Sequence, residues 1–315
     1  MVPARLTIIM GKGGVGRTTV ACAFALDRAR AGERVLLVSV AANDDPTARI
    51  AHEAAGLQTH DRLHLLSIDS RQLVDDLVRR ITRLGAWADF ILGHPSYESL
   101  IDIVPGVREM AIFHLLERKR HQGFDRIVLD APATGHGIHF LEAPDKAAKI
   151  LAGPLRERAL ELKAMLHDGA QTDVVIVTLP EETPVRETLD LSRQLGEQAV
   201  PLDNIVVNKW LPRVFVDAPP RAVLARFVDD ARARATFAAS LEGRLATTGP
   251  EAFDAEAWTN ALALVAGQRA EAAEHLASLR ALEVKLAIVP HIPDSANRLM
   301  AVADAMQRPL REVDA

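Results

Sequence analysis

Nine consecutive residues, GKGGVGRTT from Gly11 to Thr19, carry four glycines and two hydroxyls between an apolar run, Leu6 to Met10, and a helix-like one, Val20 to Ala29. Strand, glycine loop and helix in that order make a cradle for phosphate. Gly11, Gly13, Gly14 and Gly16 can take positive φ, so the backbone N–H groups of Gly13, Gly14, Val15, Gly16 and Arg17 can converge on an anion at a helix N-terminus. The aligned peptide dipoles there favour negative charge as well. Thr18 falls where a hydroxyl ligates Mg²⁺ in such loops, and Thr19 adjoins it. One position departs from the common pattern, which ends in Gly-Lys-Ser/Thr with the lysine reaching the β- and γ-phosphates. Here Arg17 stands in that place and the loop's lysine, Lys12, comes at its start. Arginine keeps the charge, but its planar fork is bulkier than an ammonium and hydrated differently. Phosphoryl transfer depends on where positive charge is placed, so binding of nucleotide is expected to survive the exchange and hydrolysis to slow.

A second chemical segment begins at Asp130, which ends the strand-like run Arg126–Leu129 and is followed by Pro132, Thr134, Gly135 and His136. An aspartate at the carboxyl end of a buried strand sits on the rim where doubly wound folds bind ligands. Its expected task is to hold a water on Mg²⁺. The competing reading of Asp130 is a helix cap or turn residue.

The elements that must position these groups are short and almost wholly apolar. Strand-like runs occur at Leu6–Met10, Arg34–Val40, Leu63–Ile68, Arg126–Leu129, Val174–Thr178, Asn204–Val207 and Val284–Val289, with helix-like segments between them. Such runs read as parallel strands buried on both faces. The fold class expected is therefore α/β, a doubly wound, mostly parallel sheet of the P-loop NTPase kind with an inserted helical subdomain. Residues 1–315 form one domain on this reading, with helical insertions at about 70–121 and 145–170. A further helical segment at about 217–282 either packs on the sheet or extends the subdomain. Met110, Ile112, Phe113, Leu115 and Leu116, with Trp87, Phe90 and Ile91, read equally as the core of the helical part or as a groove for an apolar client.

Composition narrows the class. Hydrophobic residues are 49% of the 315 but aromatics only 4%, so the core must be built from Ala, Leu, Val and Ile. A formal net charge of −5 disfavours a nucleic-acid partner, and the basic run ERKRH at 117–121 reads as the C-terminal turn of a helix, where cations meet the dipole. The lone cysteine, Cys22, excludes a disulfide framework and a multi-cysteine metal site within one chain, and reads as a packed core residue. No signal-peptide pattern and no bilayer-length apolar run is visible, so the expectation is a cytoplasmic chain without an integral membrane segment.

With Lys12 in GKGGVGRTT and DAPATGH at 130–136, the chain resembles the deviant-Walker ATPases that include the arsenical-pump ATPase and the tail-anchored-protein targeting ATPase. IVPGVRE at 103–109 is similar to that family's Pro-Gly-Ile-Asp-Glu segment, and VTLPEETPVRET at 177–188 to its Thr-Pro-Glu-Glu-x-x-Val-x-Glu-Thr block. VVNKWLP at 206–212 and VKLAIVP at 284–290 resemble its adenine-side and closing strands. The resemblance implies a dimer with ATP and Mg²⁺ at the subunit interface, each signature lysine reaching the partner's nucleotide. Lys12 matches that lysine. It also implies that Asn208 reads the adenine edge, with backbone near Pro290 closing the base pocket. The partner is then a second copy or a homologue, and the object of the work a hydrophobic protein segment.

Three departures qualify the resemblance. The family's water-orienting aspartate follows its second strand; here that position is Ala41 if the loops are equal in length, or Asp45, before Pro46, if this loop is about four residues longer. Asp45 is the expected residue. Arg17 leaves open a non-hydrolysing subunit that binds nucleotide as a regulator or scaffold. Metalloid extrusion lacks its thiols, and a partitioning or positioning ATPase explains neither PGVRE nor the long helical stretches.

Overall fold

The computed structural model describes residues 4–41, 61–69, 73–74, 106–131, 137–150, 152–211, 226–245, 254–292 and 298–307. Its centre is a parallel sheet of seven strands: β1 (Arg5–Met10), β2 (Val35–Ala41), β3 (Leu63–Asp69), β4 (Arg126–Asp130), β5 (Thr172–Thr178), β6 (Leu202–Trp210) and β7 (Lys285–Pro290). They lie in the order β3-β2-β4-β1-β5-β6-β7. All seven expected runs are strands, and the doubly wound α/β class is the observed one.

Alternation along each strand explains the two-sided burial. Leu6, Ile8 and Met10 of β1, Ile127 and Leu129 of β4, and Ile205 and Val207 of β6 enter one buried cluster, whereas Ile9, Val128 and Val206 enter the other. Successive side chains of a strand point to opposite faces, so a strand covered on both sides must be apolar throughout. Among the described residues two helices close the second face: α1 (Arg17–Arg30) and α8 (Arg298–Met306), which pack on each other. Cys22 of α1 is fully buried there.

The first face is covered by α2 (Val107–Arg120), α3 (Gly137–Ile150), α4 (Gly153–His167), α5 (Glu182–Glu197) and the second half of α7 (Ala255–Arg280). Ile112, Phe113 and Leu116 of α2 sit in the same cluster as the sheet, and Phe113 packs on Phe140 of α3 at 4.7 Å between ring centroids. These side chains are core, which corrects the groove reading for residues 110–116. Trp87, Phe90 and Ile91 lie outside the described residues, as does most of the first expected insertion.

Ala272, Leu276 and Leu279 join the sheet cluster, so the C-terminal half of the 217–282 segment packs on the sheet, while α6 (Ala231–Leu245) packs on α7. Arg120 does more than end a helix. Its buried guanidinium donates from Nε to Ala4 O at 2.6 Å and from Nη1 and Nη2 to Gln171 Oε1 at 3.1 Å, fastening α2 to the entry of β1. Among the described residues no helix is long and apolar enough to cross a membrane.

Candidate functional site

The loop after β1 is shaped by close backbone approaches that exclude side chains. Gly11 has φ 149°, and a Cβ there would stand 2.3 Å from the carbonyl oxygen of Val177 in β5. Gly16, the residue before α1, has φ 87°, and its Cβ would stand 2.3 Å from Asn208 Nδ2. Glycine is required at both positions. Gly16, the N-cap, has no side chain to cap α1, and no acidic residue occupies the helix's first turn. The helix therefore presents its first N–H groups and the positive end of its dipole to the mouth of the loop, which is the arrangement that takes an anion.

Strand register then delivers the carboxylate. Ile9 of β1 pairs with Asp130 of β4, so Asp130 ends its strand beside the loop that follows β1. Its Oδ2 accepts from Thr18 Oγ1 at 2.8 Å and its Oδ1 from Arg17 Nε at 3.1 Å. Arg17 Nη1 donates to Gly11 O at 2.9 Å, so one guanidinium bridges the first residue of the loop, the start of α1 and the end of β4. The side chains of Arg17 and Asp130 are only 13% and 7% exposed, so this pair is largely out of water. A hydroxyl and a carboxylate oxygen in contact are hard donors, the kind that suit Mg²⁺. Thr18 and Asp130 are the residues that fit it.

On the other side of the loop, β6 continues past its expected end at Val207 to Trp210. Lys209 takes φ 56° and the pairing with β7 shifts register between Val207 and Trp210. That irregularity turns buried Asn208 towards the loop, where Nδ2 donates to Val15 O at 2.8 Å, and brings Lys209 Nζ to 3.4 Å from Gly14 O. Pro290, the last residue of β7, pairs with Trp210. Arg298 of α8 reaches Thr19 Oγ1 at 3.4 Å.

Lys12, near the start of the loop, is held by a different helix. Its Nζ meets Glu187 Oε1 of α5 at 2.7 Å, with the two side chains 41% and 50% exposed. A cavity of about 620 Å³ opens beside this pair, lined by Gly11, Lys12, Thr178, Glu142, Glu187 and Gln194 among others. Glu142 in its wall is hydrogen-bonded by Lys146 at 2.7 Å, by His139 at 2.9 Å and by Gln198 at 2.7 Å. The Lys146 bond above all, helped by His139 and Gln198, holds the Glu142 carboxyl down to about 2 against the burial that would raise it.

The structure thus gathers Gly11 to Thr19, Asp130 and Asn208 at the carboxyl ends of the parallel strands, with Pro290 at the end of β7 beside β6. Ala41 ends β2, while Asp45 and His136 lie outside the described residues. Sequence reasoning passed over Glu187, Lys209 and Arg298. Glu187 was visible only as the penultimate residue of the 177–188 block. Lys209 was visible only as part of VVNKWLP at 206–212, and Arg298 carried no signal; a strand irregularity and a distant helix bring them in.

Against known proteins, the model of a family described as anion-transporting ATPase matches residues 4–159 and 153–221. ATPase BagA of Mycobacterium tuberculosis and a putative ATPase of Mycobacterium bovis are each 29% identical to this chain over 225 residues. Those matches span 66% of this chain and 66% of each mycobacterial protein, just under two thirds of its length. ATPase GET3 of Chaetomium globosum is 25% identical over 248 residues, covering 66% of this chain and 73% of that protein.

Proposed function

This chain belongs to the anion-transporting ATPase family, and from that premise we propose that it binds ATP with Mg²⁺ in the Gly11–Thr19 cradle and hydrolyses it slowly, as a dimer. The observation that carries the reading is the uncapped N-terminus of α1 standing over the Thr18–Asp130 contact of 2.8 Å. Backbone N–H groups from Gly13 to Arg17 hold the phosphates. Magnesium, when bound, neutralises charge on the phosphate oxygens, and Thr18 and Asp130 are the residues that would hold it. Asn208, with one amide proton on Val15 O, keeps its second proton and its carbonyl for the adenine edge, and backbone near Pro290 flanks the base. Asp45 orients the attacking water.

The two cations divide the remaining work. Arg17 stays on Asp130 and Gly11 O unless a phosphate draws it away, which is the physical reason for slow turnover. Lys12 points away from its own phosphates onto Glu187, and on dimer formation it exchanges that carboxylate for the partner's nucleotide. Opening and closing of the dimer then acts on a hydrophobic protein segment in the cytoplasm, with no nucleic acid involved. Phosphate release by the purified protein, with and without Arg17→Lys, tests this. Slow release that quickens about tenfold in Arg17→Lys is expected, equivalent to about 1.4 kcal/mol of barrier. Turnover unaffected by the exchange would contradict it.

A second reading rests on the same buried Arg17–Asp130 pair. A subunit whose metal-side carboxylate is already engaged serves as a nucleotide-binding regulator, paired with a homologue that supplies the working lysine. Nucleotide binding with no phosphate release from either the wild-type protein or Arg17→Lys would favour it.

A further inference from the structure

We propose that Lys209 is a positioning residue for the phosphate cradle: together with Asn208 it clasps two successive carbonyls of the loop, and so aims the N–H groups of Val15 and Gly16 at the bound phosphates. The proposal rests on the nucleotide-binding reading and deepens it.

The end of β6 breaks the rule that builds the rest of the sheet. Successive side chains of a strand point to opposite faces, so residues three apart should do so as well. Val207 and Trp210 nevertheless enter the same buried cluster, and the pairing with β7 shifts register between them. Lys209 accounts for the break with φ 56°, a left-handed backbone that a lysine rarely adopts. Two neighbours that a regular strand would send to opposite faces therefore both reach the loop after β1. Asn208 Nδ2 donates to Val15 O at 2.8 Å, and Lys209 Nζ donates to Gly14 O at 3.4 Å. A strained backbone persists only where its surroundings hold it, and such places cluster at functional sites.

Peptide planarity turns these two contacts into an aim. In a trans peptide unit the C=O of one residue and the N–H of the next point in opposite directions. Gly14 O and Val15 O held on β6 therefore send Val15 N–H and Gly16 N–H away from β6, towards the anion at the start of α1. Gly14 and Gly16 both sit at φ 87°, and glycine leaves the backbone free to leave that shape, so donors from outside the loop must fix it. Donors already aimed in the free protein need not be ordered when the phosphates arrive. Asn208 is the buried half of the clasp and Lys209 the exposed half, so the share of Lys209 is the smaller one.

Calorimetric titration of tripolyphosphate and of a non-hydrolysable ATP analogue, both with MgCl₂, into the full chain and into Lys209→Gly tests this. Glycine relieves the left-handed backbone, so the denaturation midpoint should hold or rise. Both dissociation constants should nevertheless weaken by the same factor, about fivefold. Lys209→Arg, which keeps a charged donor of similar reach, should bind as the wild type does. Lys209→Met, which keeps the stem and loses the donor, should match Lys209→Gly, and it carries the test if the glycine variant does not fold. In amide exchange without ligand, Val15 and Gly16 should exchange faster in both weakened variants, with the amides of β1 unchanged. Weakening confined to the ATP analogue would assign Lys209 to the base and overturn the proposal. So would a loss of less than about twofold, a loss that comes with a lower midpoint, or unchanged exchange at Val15 and Gly16. Binding of neither probe by the wild-type chain would instead overturn the nucleotide reading itself.

Discussion

The loop from Gly11 to Thr19 carries one cation at each end, and the two are set in opposite surroundings. Lys12 meets Glu187 at 2.7 Å with side chains 41% and 50% exposed, while Arg17 meets Asp130 at 3.1 Å with side chains 13% and 7% exposed. The shorter contact is the weaker one. Water screens the Lys12 pair and leaves its lysine free to find another anion, whereas the Arg17 pair is held where screening is poor and the loop's own carbonyl adds a second anchor. Burial, more than distance, therefore separates a side chain that can serve a partner from one that is built into the site.

The largest effect expected from this contrast is in the coupling energies. A double-mutant cycle with Arg17→Ala and Asp130→Ala, read by chemical denaturation, should give about 2 kcal/mol, because either single change leaves a mostly buried charge without its partner. A value near zero would erase the difference between the two ends of the loop. Gly16→Ala probes the frame that both cations share. With φ 87° and a Cβ directed at Asn208 Nδ2 from 2.3 Å, the substitution should cost about 1–2 kcal/mol and weaken nucleotide binding together with stability.

Glu142, partly exposed in the cavity wall, lies between the two extremes. Its folded carboxyl is held at about 2, below its ordinary value of 4.5, so its contribution is complete above pH 4.5 and is lost as pH falls towards 2. Solvent screening reduces that contribution to about 1 kcal/mol, and Glu142→Gln should flatten the acid limb of stability against pH by that amount. The smallest effect belongs to Lys12 and Glu187. Their cycle should give less than about 0.5 kcal/mol and shrink further in high salt.

How much of this was legible in the sequence depends on the range of the cause. The seven strands were readable because burial on both faces forces nearly unbroken apolar runs, as in Ile127–Leu129 and Val174–Val177. The cradle was readable because four glycines between a strand and a helix mark a phosphate loop by themselves, although Val177 O and Asn208 Nδ2, which require glycine at 11 and 16, lie far away in sequence. Residues 110–116 were ambiguous, since an apolar helix face looks the same whether it meets a sheet or a client; the sheet decided it. The direction of Arg17 was hidden, because it depends on the register that places Asp130 beside Ile9, 121 positions away in sequence. Lys209 needed a strand irregularity, and Arg298 a helix from the far end of the chain.

Titration of a non-hydrolysable ATP analogue into the wild-type protein and into Gly16→Val tests most directly whether the Gly11–Thr19 loop holds nucleotide. Saturable binding by the wild type, weakened about tenfold or more by Gly16→Val in a protein that remains folded, is the predicted result. Binding of equal strength to both, or to neither, would contradict a nucleotide site in this loop.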